Sequence, residues 1–262
     1  MRMIIFASLA ILGIGLPLAA QEDWCSNQGF HTSGMVTHSE VREERLAAAT
    51  ENIVDPAQNG SIRVHGWANA DIQVKACIQS AGPDMGAAEA LAKQVTITDG
   101  PGRVVAQGPS SNNGSGWSVS YEIWAPASAN LTLKANNGSI QAEGVMGRVR
   151  AHTLNGSLSM KDVGGDIEGE TTNGSLNIDL ATTQWHGQGL KLNTVNGSIH
   201  LHLPANFSAD VEASTVNGRI HSDFANIGDM RERHDVKFTM GAGGSKIEAR
   251  TVNGSVQISK QT

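Results

Sequence analysis

The tetrapeptide Asn-Gly-Ser followed by Ile, Leu or Val begins at Asn59, Asn137, Asn155, Asn173, Asn196 and Asn253, and a variant, Asn-Gly-Arg-Ile, begins at Asn217. Seven copies of one local signal constrain the fold more than any other feature, because internal repetition marks a structure built by stacking one unit on the next. From Asn137 to Asn173 the copies are 18 residues apart. Each 18 divides into two nonapeptides with glycine in second place, at Gly138, Gly147, Gly156, Gly165 and Gly174.

Overlaying the copies tells which side chains share a face, since successive residues of a strand point to opposite sides of a sheet. The fourth position is aliphatic throughout: Ile62, Ile140, Leu158, Leu176, Ile199, Ile220 and Val256. The sixth is apolar in every copy but the one with Ser222, and the fifth and seventh are polar in all. Each copy therefore predicts a short strand with one buried face. The Asn-Gly pair before it reads as a turn, glycine tolerating positive φ and asparagine visiting the left-handed region readily.

A meander of hairpins and a flattened β-solenoid both accommodate such strands, and Asn-Gly alone favours hairpins. Only the solenoid explains why the turn, the inward positions and the strand length recur in phase, because each coil then stacks on its equivalent in the coil before. The expected fold is all-β: a two-sheet β-solenoid (β-helix) with coils of about 18 residues, covering 51–262. An insertion over about 79–130 interrupts the period. Within it, Pro83 and Asp84 ahead of Met85, Ala88, Leu91 and Ala92 predict a short helix. Strands are expected at Val95 to Thr98 and Trp117 to Trp124, with a Gly/Ser/Asn loop at 108–116. Val41 to Ala49 fits helix or strand.

Arg2, an apolar run from Met3 to Leu18, and Ala19-Ala20 before Gln21-Glu22-Asp23 read as a signal peptide over residues 1–20. The run is short for a bilayer span, and an exported protein of the periplasm or cell surface is expected. The only two cysteines, Cys25 and Cys77, then meet an oxidising compartment and predict a disulfide strapping an N-terminal tail, 21–50, onto the domain. Cys77 alternates with Ala76 and Ile78, so its sulfur is expected on the outer side. A net charge of −6 disfavours a nucleic-acid partner, which would require neutralising phosphates.

Asn59 to Trp67, Trp117 to Ile123, the repeats from Asn137, and Gly243-Gly244 with Thr251 to Val256 together resemble a family of exported bacterial proteins classed as candidate adhesins. The resemblance spans nearly the whole chain after the leader. It implies a β-solenoid related to adhesin heads and brings no catalytic residues with it.

Signatures of nucleophilic, zinc-protease or phosphate-binding sites are missing from the sequence. Gly241 to Gly244 reads as a turn, and the nonapeptide Gly164 to Thr172 has Gly169 where a calcium repeat needs aspartate. One constellation remains. If consecutive coils stack, His200 and His202 lie beside His221 and Asp223, with Asp179 on the preceding coil, a set able to hold a divalent metal such as zinc. A solvated polar face is the plainer account of the same residues. Trp67, Trp117, Trp124 and Trp185 are too scattered for a sugar-stacking platform and read as packing groups. The functional expectation is a binding or scaffolding module without catalysis or resident cofactor, its partner an envelope glycan or protein. The alternatives are a carbohydrate-active β-helix enzyme using Asp179, His200, His202, His221 and Asp223 in an outer groove, and an envelope-stress regulatory partner.

Overall fold

The computed structural model describes residues 24–25, 28–111, 114–180, 185, 187–224 and 234–261; the expected leader at 1–20 lies outside them. Among the described residues the domain is all-β, with two packed sheets of ten strands each and mostly parallel pairing. From β8 (Leu131–Asn137) the chain alternates between the sheets: β9 (Ile140–Glu143), β10 (Val149–Asn155), β11 (Leu158–Lys161), β12 (Ile167–Asn173), β13 (Leu176–Asp179), β14 (Gly189–Asn196), β15 (Ile199–Leu203), β16 (Ala209–Asn217) and β17 (Ile220–Ser222). Odd-numbered members of this run lie in the first sheet and even-numbered members in the second. Every Asn-Gly pair in it carries the chain from the second sheet to the first.

Register follows the repeat. Leu158 pairs with Ile140 and with Leu176, and Leu176 with Ile199. These fourth-position side chains, with Met160, Ile178 and Leu201 two residues on, are fully buried and meet Leu133, Leu192 and Ala213 of the facing sheet in one continuous core. Burying each large aliphatic side chain contributes roughly 1.5 to 3 kcal/mol. The buried threonines are satisfied by the stacking itself: the Oγ1 groups of Thr153, Thr171 and Thr194 donate to the carbonyls of Gly138, Gly156 and Gly174 at 2.8 to 2.9 Å.

The turn glycines are required for a reason other than the one expected. Of the repeat glycines only Gly60 has positive φ, at 138°. A Cβ on Gly156 would lie 2.1 Å from the Gly138 carbonyl oxygen, and one on Gly174 would lie 2.0 Å from that of Gly156. Close approach of stacked backbones, not a left-handed turn, excludes a side chain there.

The order of stacking departs from the order of the sequence. After β17 the chain forms β18 (Asp235–Met240), antiparallel to β16, then turns through Gly241, Gly243 and Gly244, all at positive φ, into β19 (Lys246–Asn253) and β20 (Val256–Lys260). β19 lies between β14 and β16, and β20 lies between β15 and β17. The seventh Asn-Gly copy is thus wedged between the fifth and sixth.

At the other end, β2 (Asn52–Asp55) and β3 (Ile62–Trp67) form the first rung, β2 pairing with β8 and β3 with β9. The expected insertion does not stand apart from the sheets. β4 (Asp71–Gly82) and β7 (Gly116–Pro126) extend the first sheet beyond β3, and the hairpin of β5 (Thr96–Gly100) and β6 (Arg103–Gln107) extends the second beyond β2. The helix Met85–Gln94 begins at Asp84, whose carboxylate accepts from the Ala87 amide at 2.8 Å, the N-cap arrangement. The ambiguous Val41 to Ala49 stretch belongs largely to β1 (Val36–Ala47), an edge strand antiparallel to β4. Arg42 on β1 donates to the carbonyls of Val95 and Ala92 and so satisfies the helix C-terminus.

Candidate functional site

Outward positions of the first sheet form straight rows, because every strand from β3 to β17 keeps the same register. The fifth-position row runs Arg63, Gln141, Ser159, Asn177, His200, Gln257, His221, at the strand spacing of about 4.8 Å. Arg63 donates to Gln141 at 3.0 Å. Among the described residues the side chains of Ser159, Asn177, His200 and Gln257, on four successive strands, hydrogen-bond to no other protein group, and His200 is half-buried while the other three are exposed.

The second sheet presents a different surface. Its outward side chains consume one another: Lys191 pairs with Glu168 at 2.9 Å, Arg150 with the same carboxylate at 3.5 Å, Arg250 with Glu212 at 3.2 Å and Lys237 with Glu212 at 3.5 Å. The Lys191 hydrogen bond and the charges around it hold the Glu168 carboxyl below its ordinary range. Exposed ion pairs of this kind add little stability each, but they leave few groups free for a ligand.

The expected metal set does not assemble. His200 and His202 are on β15, whereas His221 and Asp223 belong to the β17 rung, and β20 separates them. His200 faces Gln257 and His202 faces Ser259, so the two pairs are about two strand spacings, ~9.6 Å, apart. His202 meets Ser259 Oγ at 3.2 Å, His221 pairs with Asp223 at 3.1 Å, and Asp179, beside His202, accepts from Gln261. No group of three or more His, Cys, Asp or Glu side chains among the described residues is placed to hold a metal ion. Stacking the coils in sequence order produced the incorrect adjacency; Asp179, His200, His202, His221 and Asp223 stay on the outer side of the first sheet, with β20 between the β15 and β17 pairs. The backbone amide of Lys260, with His221, holds the Asp223 carboxyl below its usual range.

Cys25 and Cys77 are joined by a disulfide. Cys77 lies on the side of β4 away from the core, and the tail segment buries it. Gln79 donates to the Cys25 carbonyl at 3.0 Å, and the Lys75 ammonium sits 5.0 Å from the Trp24 ring centroid. The tail thereby roofs a cleft of about 250 Å³ between Trp24, Gln28, Arg63, Gln141 and the serines Ser61, Ser120 and Ser139. The repeat pattern does not announce this cleft. Its signal was the disulfide itself, which sets Trp24 beside Cys77 on the outer face.

The other tryptophans serve local packing. Trp67 donates to the Asp71 carbonyl at 2.9 Å and Trp117 to that of Pro109 at 2.8 Å. Trp124 stacks on His65 with centroids 5.5 Å apart, and Trp185 packs against the core. Tyr121, on the core side of β7, has a buried hydroxyl without a partner among the described residues, and burial pushes its pKa up, with Asp55 adding to the effect.

Two stacked, mostly parallel sheets joined through Asn-Gly corners, with ion pairs across the outer face of the second and, on the first, an unpaired row beside pairs such as Lys161–Glu143 at 3.3 Å, define a repeat-built β-domain. The chain belongs to the family described as Toastrack DUF4097, which matches residues 47–259. No curated protein sequence matches it. Similar solved structures include a candidate cell adhesion protein from Clostridium sporogenes, 13% identical with a TM-score of 0.46, covering 86% of this chain and 100% of that one. A candidate adhesin from Bacteroides fragilis is 8% identical with a TM-score of 0.40, covering 86% and 97%. A candidate lipid binding protein from Parabacteroides distasonis is 11% identical with a TM-score of 0.35, covering 88% and 98%. Among the described residues no helix is long and apolar enough to cross a membrane.

Proposed function

We propose that this protein is an exported, non-catalytic binding module of the cell envelope, built as a flattened solenoid, which holds an extended glycan or protein segment along the outer face of its first sheet. The observation that carries the reading is the contrast between the two outer faces. On the second sheet charged side chains are paired with one another, whereas on the first Ser159, Asn177, His200 and Gln257 offer hydroxyl, amide and imidazole groups with no protein partner among the described residues. Groups already hydrogen-bonded within the protein gain little by binding a ligand, while unpaired ones exchange only water for it. A row repeating at each strand suits a chain-like ligand better than a compact one.

The test is binding of the purified protein to a glycan array and to isolated envelope fractions. Retention that is lost in the double variant Asn177→Glu/His200→Glu and kept in Lys191→Glu on the opposite face supports the reading. Absence of retention by the native protein, or equal retention by both variants, overturns it.

A further inference from the structure

The Asn-Gly corners form a polarised ladder. The side-chain amide of each asparagine donates to the side-chain carbonyl of its neighbour: Asn137 to Asn59 at 3.0 Å, Asn155 to Asn137, Asn173 to Asn155 and Asn196 to Asn173 at 2.8 Å, Asn253 to Asn196 at 2.7 Å, and Asn217 to Asn253 at 2.8 Å. Six of the seven corner glycines also donate their backbone N–H to the main-chain carbonyl of the neighbouring asparagine. Gly60 donates to Asn137, Gly138 to Asn155, Gly156 to Asn173, Gly174 to Asn196, Gly197 to Asn253 and Gly254 to Asn217, at 3.0 to 3.1 Å. The ladder ends at Asn217-Gly218. There, among the described residues, the Gly218 N–H donates to no carbonyl and the Asn217 side-chain carbonyl accepts from no donor.

We infer that Asn217 is a site of spontaneous deamidation to aspartate and isoaspartate, and that the other six ladder asparagines are protected. An asparagine followed by glycine is vulnerable because no side chain shields the next backbone nitrogen. That nitrogen, giving its proton to solvent base, attacks the Asn217 Cγ. A bond forms from the Gly218 nitrogen to Cγ, the bond from Cγ to Nδ2 breaks, and Nδ2 leaves as ammonia with a proton returned from water. The resulting succinimide is opened by water at either carbonyl, giving Asp or isoAsp. No oxidant or catalyst is involved. In six corners the attacking nitrogen is held in a hydrogen bond to the next rung, and the rung must open before it can react. Solvent access does not separate Asn217 from five of the others, since Asn137, Asn155, Asn173, Asn196 and Asn253 are exposed too, while Asn59 is half-buried. The product carboxylate would face the Asn253 side-chain carbonyl without the amide hydrogens that now bridge them, so the conversion removes the last side-chain link of the ladder.

The experiment is incubation of the folded protein in mildly alkaline buffer, with peptide mapping by mass spectrometry and enzymatic labelling of isoaspartate at each site. Asn217 should convert about tenfold faster than Asn155 or Asn173, the factor that one additional hydrogen bond supplies. In urea the seven rates should converge. Equal rates in the folded protein overturn the inference. So does a lead for Asn217 that persists in urea, which would trace to Arg219 replacing serine after the glycine, and Arg219→Ser separates that effect in the folded state. Asn217→Gln should silence the site and leave the rest unchanged. Asn113, which also precedes a glycine, lies outside the described residues and is mapped separately.

Discussion

The two ends of the stack are finished differently. At the N-terminal end the first sheet changes direction: β7 is parallel to β3, but β4 runs antiparallel to β7 and β1 antiparallel to β4. The helix seats on β4 and β1, a disulfide ties the tail across the outer face, and the last strand is rich in charge, with Glu40, Arg42, Glu43, Glu44 and Arg45 in succession around Val41. Charged edge strands resist pairing with other chains. At the C-terminal end β17 is only Ile220–Ser222, and β18 pairs with β16 no further than Ser214. Val216, one residue before the last rung, is 61% exposed, against 38% for Val252 and 41% for Val195 on the rungs behind it. A parallel stack has no built-in stop. At one end non-repeating strands extend both sheets, while at the other β18 covers only the edge of the second sheet and the β16–β17 rung rests on the repeat at Asn253.

The largest effect should come from attacking that wedge. Ending the chain at Ser245 removes Ile247, Val256 and Ile258 from the interior, at roughly 1.5 to 3 kcal/mol each, a loss comparable with the ~5 to 15 kcal/mol that holds a domain folded. The β16–β17 rung should lose its seat and become sensitive to protease, while β8 to β13 stay protected; limited proteolysis with mass mapping checks this, and a C-terminal half that remains resistant would contradict it. Next in size is the opposite end. Replacing Cys25 and Cys77 by serine should cost about 2 to 4 kcal/mol in urea denaturation, and the loss should be absent when the native protein is compared under reducing conditions.

The smallest expected effect concerns acid. Asp223 is more acidic in the folded protein than in an unfolded chain, through the Lys260 amide and then His221. Such a group adds stability above its unfolded pKa and withdraws it as pH falls through the folded value. Acidification through the carboxylate range should therefore loosen the last rung, followed as faster hydrogen exchange at Lys260. Asp223→Asn should remove that part of the pH dependence and leave exchange at the N-terminal end unchanged.

Much of this was legible in the repeats. The inward run of Ile140, Leu158, Leu176 and Ile199, the outward run beside it, and the Asp84 helix start all follow from local pattern. The order of the last two rungs does not, because Thr-Val-Asn-Gly at 215–218 and Thr-Val-Asn-Gly at 251–254 are the same words, and nothing local decides which of them meets β14. That ambiguity misplaced His221 and Asp223. The corner glycines stand out in the sequence, but the contact that demands them, a carbonyl from another rung, exists only once the rungs are stacked. The unpaired row of Ser159, Asn177, His200 and Gln257 on the first sheet likewise emerges only once the strands are stacked.

The wedge of β19 and β20 also has a temporal meaning. A ribosome delivers the β16–β17 segment before the piece on which it must rest, so the growing polypeptide passes through a stage with a finished stump and a strand pair waiting unsupported. Only the later β19–β20 segment closes the gap, through contacts spanning more than fifty positions along the chain between β14 and β19. Such distant closures are slow, and a truncation that takes away β19 and β20 removes the middle of a pile rather than its tip.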